Sequence, residues 1–156
     1  FLTDLSRADC LVHGVDASGG TDSEGNVVDL HSHDPAADIR FLEEELAHWI
    51  AGILSRNWEK EARRADLEAT PPEKVLLGRL TGLGLTEMQI HLALREAPLD
   101  PKMARWTSED LLRLARSLLR RGKPMILAAN KADLASPDAL ERLAGVEGYL
   151  TIPTSA

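Results

Sequence analysis

Cysteine is nearly absent from this 156-residue chain: Cys10 stands alone, so no disulfide framework and no thiolate metal cluster can be built. No stretch approaches the roughly 20 apolar residues of a membrane-spanning helix, and nothing resembles a signal peptide. Positive charge is short as well. Eighteen Lys and Arg against 25 Asp and Glu leave a formal charge of -7, which excludes a DNA or RNA binder that works by overall basicity. Internal repeats and low-complexity tracts are missing too. What remains is the composition of one ordinary globular domain, 44% hydrophobic and 28% charged, with a reducing, cytoplasmic setting expected.

A further absence concerns chemistry. No Gly-x-x-x-x-Gly-Lys-Ser/Thr run occurs, so the chain lacks a phosphate-cradling loop. The chain also opens on Phe1, in what reads as the tail of a helix, and stops at Ala156 directly after a strand-like run. We expect a segment of a longer protein.

Three apolar runs predict buried parallel strands: Cys10 to Val15, "KPMILAAN" and "GYLTIPTSA". Helical patterns separate them, the alternation that implies crossover connections and an α/β sheet. Thr107 and Ser108 are candidate caps of a helix whose Leu111, Leu114, Ala115 and Leu118 form an apolar face and which Gly122 stops. Ser136, Pro137 and Gly145 repeat that grammar after Asp133. Between the first two strands lies more chain than a simple crossover needs. One long amphipathic helix is expected from Ala36 to Arg64, another from Pro72 to Leu80, and a third from Thr86, whose spacing to Gln89 makes a capping box. The expected division is therefore residues 1–33 and 106–156 as an α/β domain, with 34–105 as a helical insertion.

The second strand ends on Asn130, Lys131, Ala132, Asp133. Guanine presents adjacent ring N1–H and N2 amine donors, and one carboxylate accepts both in a short, charge-assisted fork; Asp133 supplies it. Adenine lacks that donor pair, and a carboxylate facing its lone pair loses its partners. Lys131 lays its methylene stem along the base while its ammonium stays wet. Asn130 ties the loop to the nucleotide. "PTSA" follows the third strand, and a backbone N–H of Ser155 or Ala156 can donate to guanine O6. These positions fall at the carboxyl ends of strands, where ligands of open α/β sheets collect.

Other candidates have plainer readings. Gly14, Gly19, Gly20 and Gly25 form a surface loop rather than a phosphate cradle, having no Lys-Ser/Thr after them. Asp16 reads as a turn former at a strand end, and Cys10 as inert core. His31, His33 and the pair His48 and Glu44 lack a third ligand, so no metal site is expected within the chain. Arg113, Arg116, Arg120, Arg121 and Lys123, with Lys60, Arg63 and Arg64, are explained by helix-dipole complementarity and solubility; contact with ribosomal RNA is the alternative. Trp49 and Trp58 are expected on one helix.

Asn130, Lys131 and Asp133 match the base-recognition motif of P-loop GTPases. "SHDPAADIRFLEEELAHWIAGILSRNWEK", "LTGLGLTEMQIHLAL", "WTSEDLLRLARSLL" and "KPMILAANKADL" resemble, in order, the archaeal YchF-like branch of the Obg-related GTPases, and the resemblance covers essentially the whole chain. It implies part of a Ras-like domain with parallel strands and a helical insertion, and GTP or GDP as ligand. It further implies Mg²⁺-dependent hydrolysis with the Mg²⁺ ligands outside this segment, and a partner at the ribosome or in translation. The segment alone is expected to hydrolyse nothing. Many YchF proteins carry Glu at the motif's last position and prefer ATP, whereas Asp133 predicts GTP. A helical interaction module with a vestigial nucleotide pocket is the competing reading.

Overall fold

The computed structural model describes residues 2–156. Its elements are α1 (Leu2–Arg7), β1 (Leu11–Asp16), α2 (Pro35–Ser55), α3 (Trp58–Leu67), α4 (Pro72–Arg79), α5 (Glu87–Glu96), α6 (Ser108–Gly122), β2 (Met125–Asn130), α7 (Pro137–Ala144) and β3 (Leu150–Pro153). Short 3₁₀ turns lie at Thr81–Leu83 and Met103–Arg105. Contacts gather these into two compact units. One comprises Cys10–Glu43 and Met125–Ala156; the other comprises the residues up to Asp9 and Glu44–Pro124. The units part at 43/44 and 124/125, and α6, which packs with α5, falls in the second of them.

The first unit is built on a parallel sheet in the order β1-β2-β3. Leu11 pairs with Met125 and Asp16 with Asn130; Ile126 pairs with Leu150 and Ala129 with Pro153. Both crossovers step the same way across the sheet, and such connections share one hand, so their helices fall on one face. The core bears this out: Ile39 and Leu42 of α2 and Leu140 and Leu143 of α7 pack with Leu11, Val15, Met125, Leu127 and Ala129. The opposite face carries Val12, Leu150 and Ile152, which are 71%, 63% and 45% exposed. This corrects the expectation of strands covered on both faces. An unbroken apolar run reports the capacity to be buried twice, and among the described residues only one side is covered. Cys10 is likewise corrected from core to exposed, since β1 begins one residue after it.

The second unit is helical. The expected single helix from Ala36 to Arg64 is broken: α2 ends at Ser55, Asn57 takes a left-handed φ of 52°, and α3 starts at Trp58. Asparagine tolerates that conformation better than most residues. The break leaves the last carbonyls of α2 in need of donors. The Arg79 guanidinium supplies them, reaching the carbonyls of Ile53, Leu54 and Arg56 at 3.2, 2.9 and 2.6 Å. It also lies over the Trp58 ring, 5.4 Å from its centroid, and Trp58 stacks on Trp106 at 5.3 Å. Trp49 and Trp58 therefore belong to different helices. The capping boxes Thr86–Gln89 and Thr107–Asp110 open α5 and α6. α6 closes on Gly122, where an added Cβ would lie 1.8 Å from Leu85 Cδ2, so only glycine fits without displacing that side chain. No described helix is long and apolar enough to cross a membrane.

Candidate functional site

β2 and β3 run parallel and end beside one another, which brings two polar loops together at their carboxyl ends. After β2 the chain turns sharply, with Lys131 in the left-handed region at φ 55°. A non-glycine residue in that conformation persists only where its surroundings hold it, and such residues cluster at binding sites. Here the loops hold each other. The Ala132 N–H donates to the Thr154 carbonyl at 3.0 Å, and the Thr154 N–H donates to the Ala129 carbonyl at 2.9 Å.

The side chains complete the lacing. Asn130 Oδ1 accepts from the Ala156 N–H at 3.1 Å and from Thr154 Oγ1 at 3.4 Å. Ser155 Oγ donates to Asp133 Oδ1 at 2.7 Å. Four of the five positions singled out in the sequence share these bonds, Asn130 with Ala156 and Asp133 with Ser155, while the Lys131 ammonium goes to Asp16. Asp133 is exposed. A carboxylate has about four lone-pair positions, and the hydroxyl of Ser155 takes one, so Asp133 keeps enough to accept two more donors. Thr154 was missed in the sequence; the signal that could have found it is a hydroxyl placed between a strand end and Ser-Ala.

Asp16 was read as a turn former. It is one, and more. Its Oδ1 accepts from the Ser18 N–H at 3.1 Å and Ser18 Oγ at 2.6 Å, while Oδ2 accepts from Thr21 Oγ1 at 2.6 Å and from Lys131 Nζ at 2.7 Å. Burial alone would push its pKa up; the hydrogen bonds from Lys131, Ser18 and Thr21 outweigh it and hold the carboxyl well below the usual carboxylate range.

The neighbouring glycines spend their amides internally, Gly19 on the Asp16 carbonyl, Gly20 on Ser18 Oγ and Gly25 on the Asp22 carbonyl. An added Cβ at Gly19, whose φ is +63°, would meet the His33 carbonyl oxygen at 2.4 Å, so this glycine exists to let two loop segments touch. His33 itself contacts Asp38 at 2.9 Å. The described residues hold no group of three or more His, Cys, Asp or Glu arranged for a metal. Asp16, the carboxylate beside Lys131, already has its oxygens engaged.

In the basic stripe, the Arg116 guanidinium grips Glu44 through two bonds of 2.9 and 2.8 Å, Arg121 pairs with Glu96 and Arg113 with Asp110. Lys123 is buried and donates to the Ser6 and Ala8 carbonyls at 3.0 and 2.6 Å. Much of that charge serves the helical unit itself. A groove of about 580 Å³ lined by Pro71, Glu73, Lys74, Leu77, Glu87, Met88 and His91 contains none of the five site residues.

A parallel α/β sheet with its polar loops gathered at the carboxyl ends of two adjacent strands defines a ligand-edge architecture. Its backbone superposes on the crystal structure of a GTP-binding protein from Pyrococcus horikoshii with a TM-score of 0.90 over 99% of this chain and 45% of that one, at 44% sequence identity. An uncharacterized GTP-binding protein of Methanocaldococcus jannaschii is 47% identical over 160 residues, which take in all of this chain and 39% of the relative. Another, from Schizosaccharomyces pombe, is 33% identical over 139 residues, 89% of this chain and 34% of the relative. The chain therefore spans under two fifths of the length of each of these two curated relatives. No family model matches it.

Proposed function

We propose that this chain supplies the guanine-recognition half of a nucleotide site in a YchF/Obg-type GTPase. The observation that carries the reading is the bond from Ser155 Oγ to Asp133, which holds the carboxylate against the loop whose Ala156 N–H donates to Asn130 Oδ1. In the bound state Asp133 accepts from guanine N1–H and N2, Lys131 lays its stem along the base, and the Asn130 amide meets the purine edge. Guanine O6 draws the Ala156 N–H away from Asn130 Oδ1, or shares it. The GTP-binding names of the relatives support the ligand, and the resemblance of the quoted sequence stretches supports the YchF branch.

The complete protein, on this reading, hydrolyses GTP with phosphate, Mg²⁺ and water-positioning groups that lie outside these 156 residues, and acts in translation, at the ribosome. The bare apolar face of Val12, Leu150 and Ile152 suits a sheet that the rest of such a protein covers. Competition of unlabelled GTP and ATP against a fluorescent guanine nucleotide on the full-length protein tests the base preference. GTP is expected to displace the probe at least a hundredfold more effectively than ATP, in line with the large penalty for leaving polar groups of a site unpaired, roughly 10⁴-fold at its strongest. ATP displacing it equally well removes the guanine assignment.

A further inference from the structure

Asp16 lies 115 residues before Lys131 in the chain, yet the two side chains meet at 2.7 Å because β1 and β2 are paired in register and end opposite each other. The Asp16 side chain is 13% exposed and that of Lys131 42%. Three of the four donors to the carboxylate come from its own turn, the Ser18 N–H, Ser18 Oγ and Thr21 Oγ1. That turn is braced in its own right: the Ala17 N–H donates to the Asn130 carbonyl at 2.9 Å, the Gly19 N–H to the Asp16 carbonyl, and the Gly20 N–H to Ser18 Oγ. The carboxylate is thus fixed without help from Lys131. The lysine, long, flexible and half-exposed, is the one partner with freedom to lose.

With every carboxylate oxygen engaged, Asp16 has no capacity left to hold a nucleotide hydroxyl or a cation of its own. Its remaining effect is on where the lysine goes. We infer that Asp16 is a positioning residue of the base site: it anchors the Lys131 ammonium so that the methylene stem stands ready as one wall of the purine slot. The inference rests on the guanine reading of that slot. A preset stem spares the ligand the ordering of a rotamer-rich side chain, which strengthens binding without any contact between Asp16 and nucleotide. Lys131 holds a left-handed φ of 55° while its ammonium reaches Asp16 at the end of β1.

A purely structural role for Asp16, as the brace of its own turn, makes a different forecast, and a mutant cycle separates the two. Asp16→Asn keeps the size of the side chain and its carbonyl acceptor for Ser18, but loses the ion pair and the acceptor for the Thr21 hydroxyl. In the full-length protein, titration with fluorescent GDP is expected to show about a tenfold loss for Asp16→Asn and a similar loss for Lys131→Ala, with the double variant no weaker than Lys131→Ala alone. Thermal unfolding of the single variants reports whether they fold. Losses that multiply, or an Asp16→Asn protein that binds GDP as tightly as the parent, overturn the inference.

A second readout needs neither nucleotide nor mutation. In ¹⁵N-lysine-labelled protein without ligand, the Lys131 ammonium protons are expected to exchange slowly with water, and a fast-exchanging, averaged Lys131 signal overturns the proposal. Failure of the unmodified protein to bind GDP would instead refute the guanine reading, while the ammonium signal still decides whether Asp16 holds Lys131.

Discussion

Asp133→Ala is expected to lower the affinity of the full-length protein for GDP by about 10²- to 10⁴-fold while leaving its unfolding midpoint essentially unchanged. Two hydrogen bonds to a charged acceptor are each worth about 1.5–3 kcal/mol, and both vanish together with the carboxylate. The fold has little to lose, because Asp133 is exposed and, among the described residues, its side chain accepts from the Ser155 hydroxyl, which water can replace. Isothermal titration with GDP, paired with a thermal melt, gives both numbers. A loss of only a few fold would mean that the carboxylate faces solvent in the complex. An affinity loss matched by a collapse in stability would make Asp133 a brace of the loops and not a ligand.

The second large effect falls on the helical unit. Trp58 is 6% exposed, stacked on Trp106 and capped by the Arg79 guanidinium, which in turn holds the end of α2. Trp58→Ala is expected to cost about 3–5 kcal/mol, the range for emptying a buried aromatic site. Its indole nitrogen, however, is buried with no hydrogen-bond partner among the described residues, an expensive arrangement that a phenyl ring removes. Trp58→Phe is therefore expected to cost less than about half the alanine loss, the smaller ring being offset by the relieved N–H. Urea unfolding followed by far-ultraviolet circular dichroism measures the pair. Equal losses for Ala and Phe would show that the indole N–H, and not the stack, is what the site requires.

The parts of this architecture that are written locally were readable in the sequence. Ser136, Pro137 and Gly145 bound α7 as their types dictate, and Thr86 with Gln89 and Thr107 at the head of α6 act as caps, because a cap involves residues only three apart. The motif proposed for guanine is legible for the same reason: Asn130, Lys131 and Asp133 follow closely in one turn, and their chemistry is stated by their types. The break at Asn57 was not, since apolar spacing continues across it and a single left-handed residue leaves no mark on periodicity. The exposed face of β1 and β3 was hidden too, because an apolar run does not say whether its second side has been covered. Lys131's partner depended on the register between β1 and β2, a pairing that no short stretch records. The basic stripe on α6 was readable as charge. Its pairing with Glu44 and Glu96 required the helices to be placed first.

On the proposed function, the loops after β2 and β3 close on guanine through Asp133. A crystal structure of the full-length protein with GDP tests this directly. The account predicts both Asp133 oxygens within about 3 Å of guanine N1 and N2, the Lys131 stem flat against the ring, and the Ala156 N–H turned to O6. A base seated elsewhere, or an Asp133 still bonded to Ser155 alone while GDP occupies the protein, would contradict it.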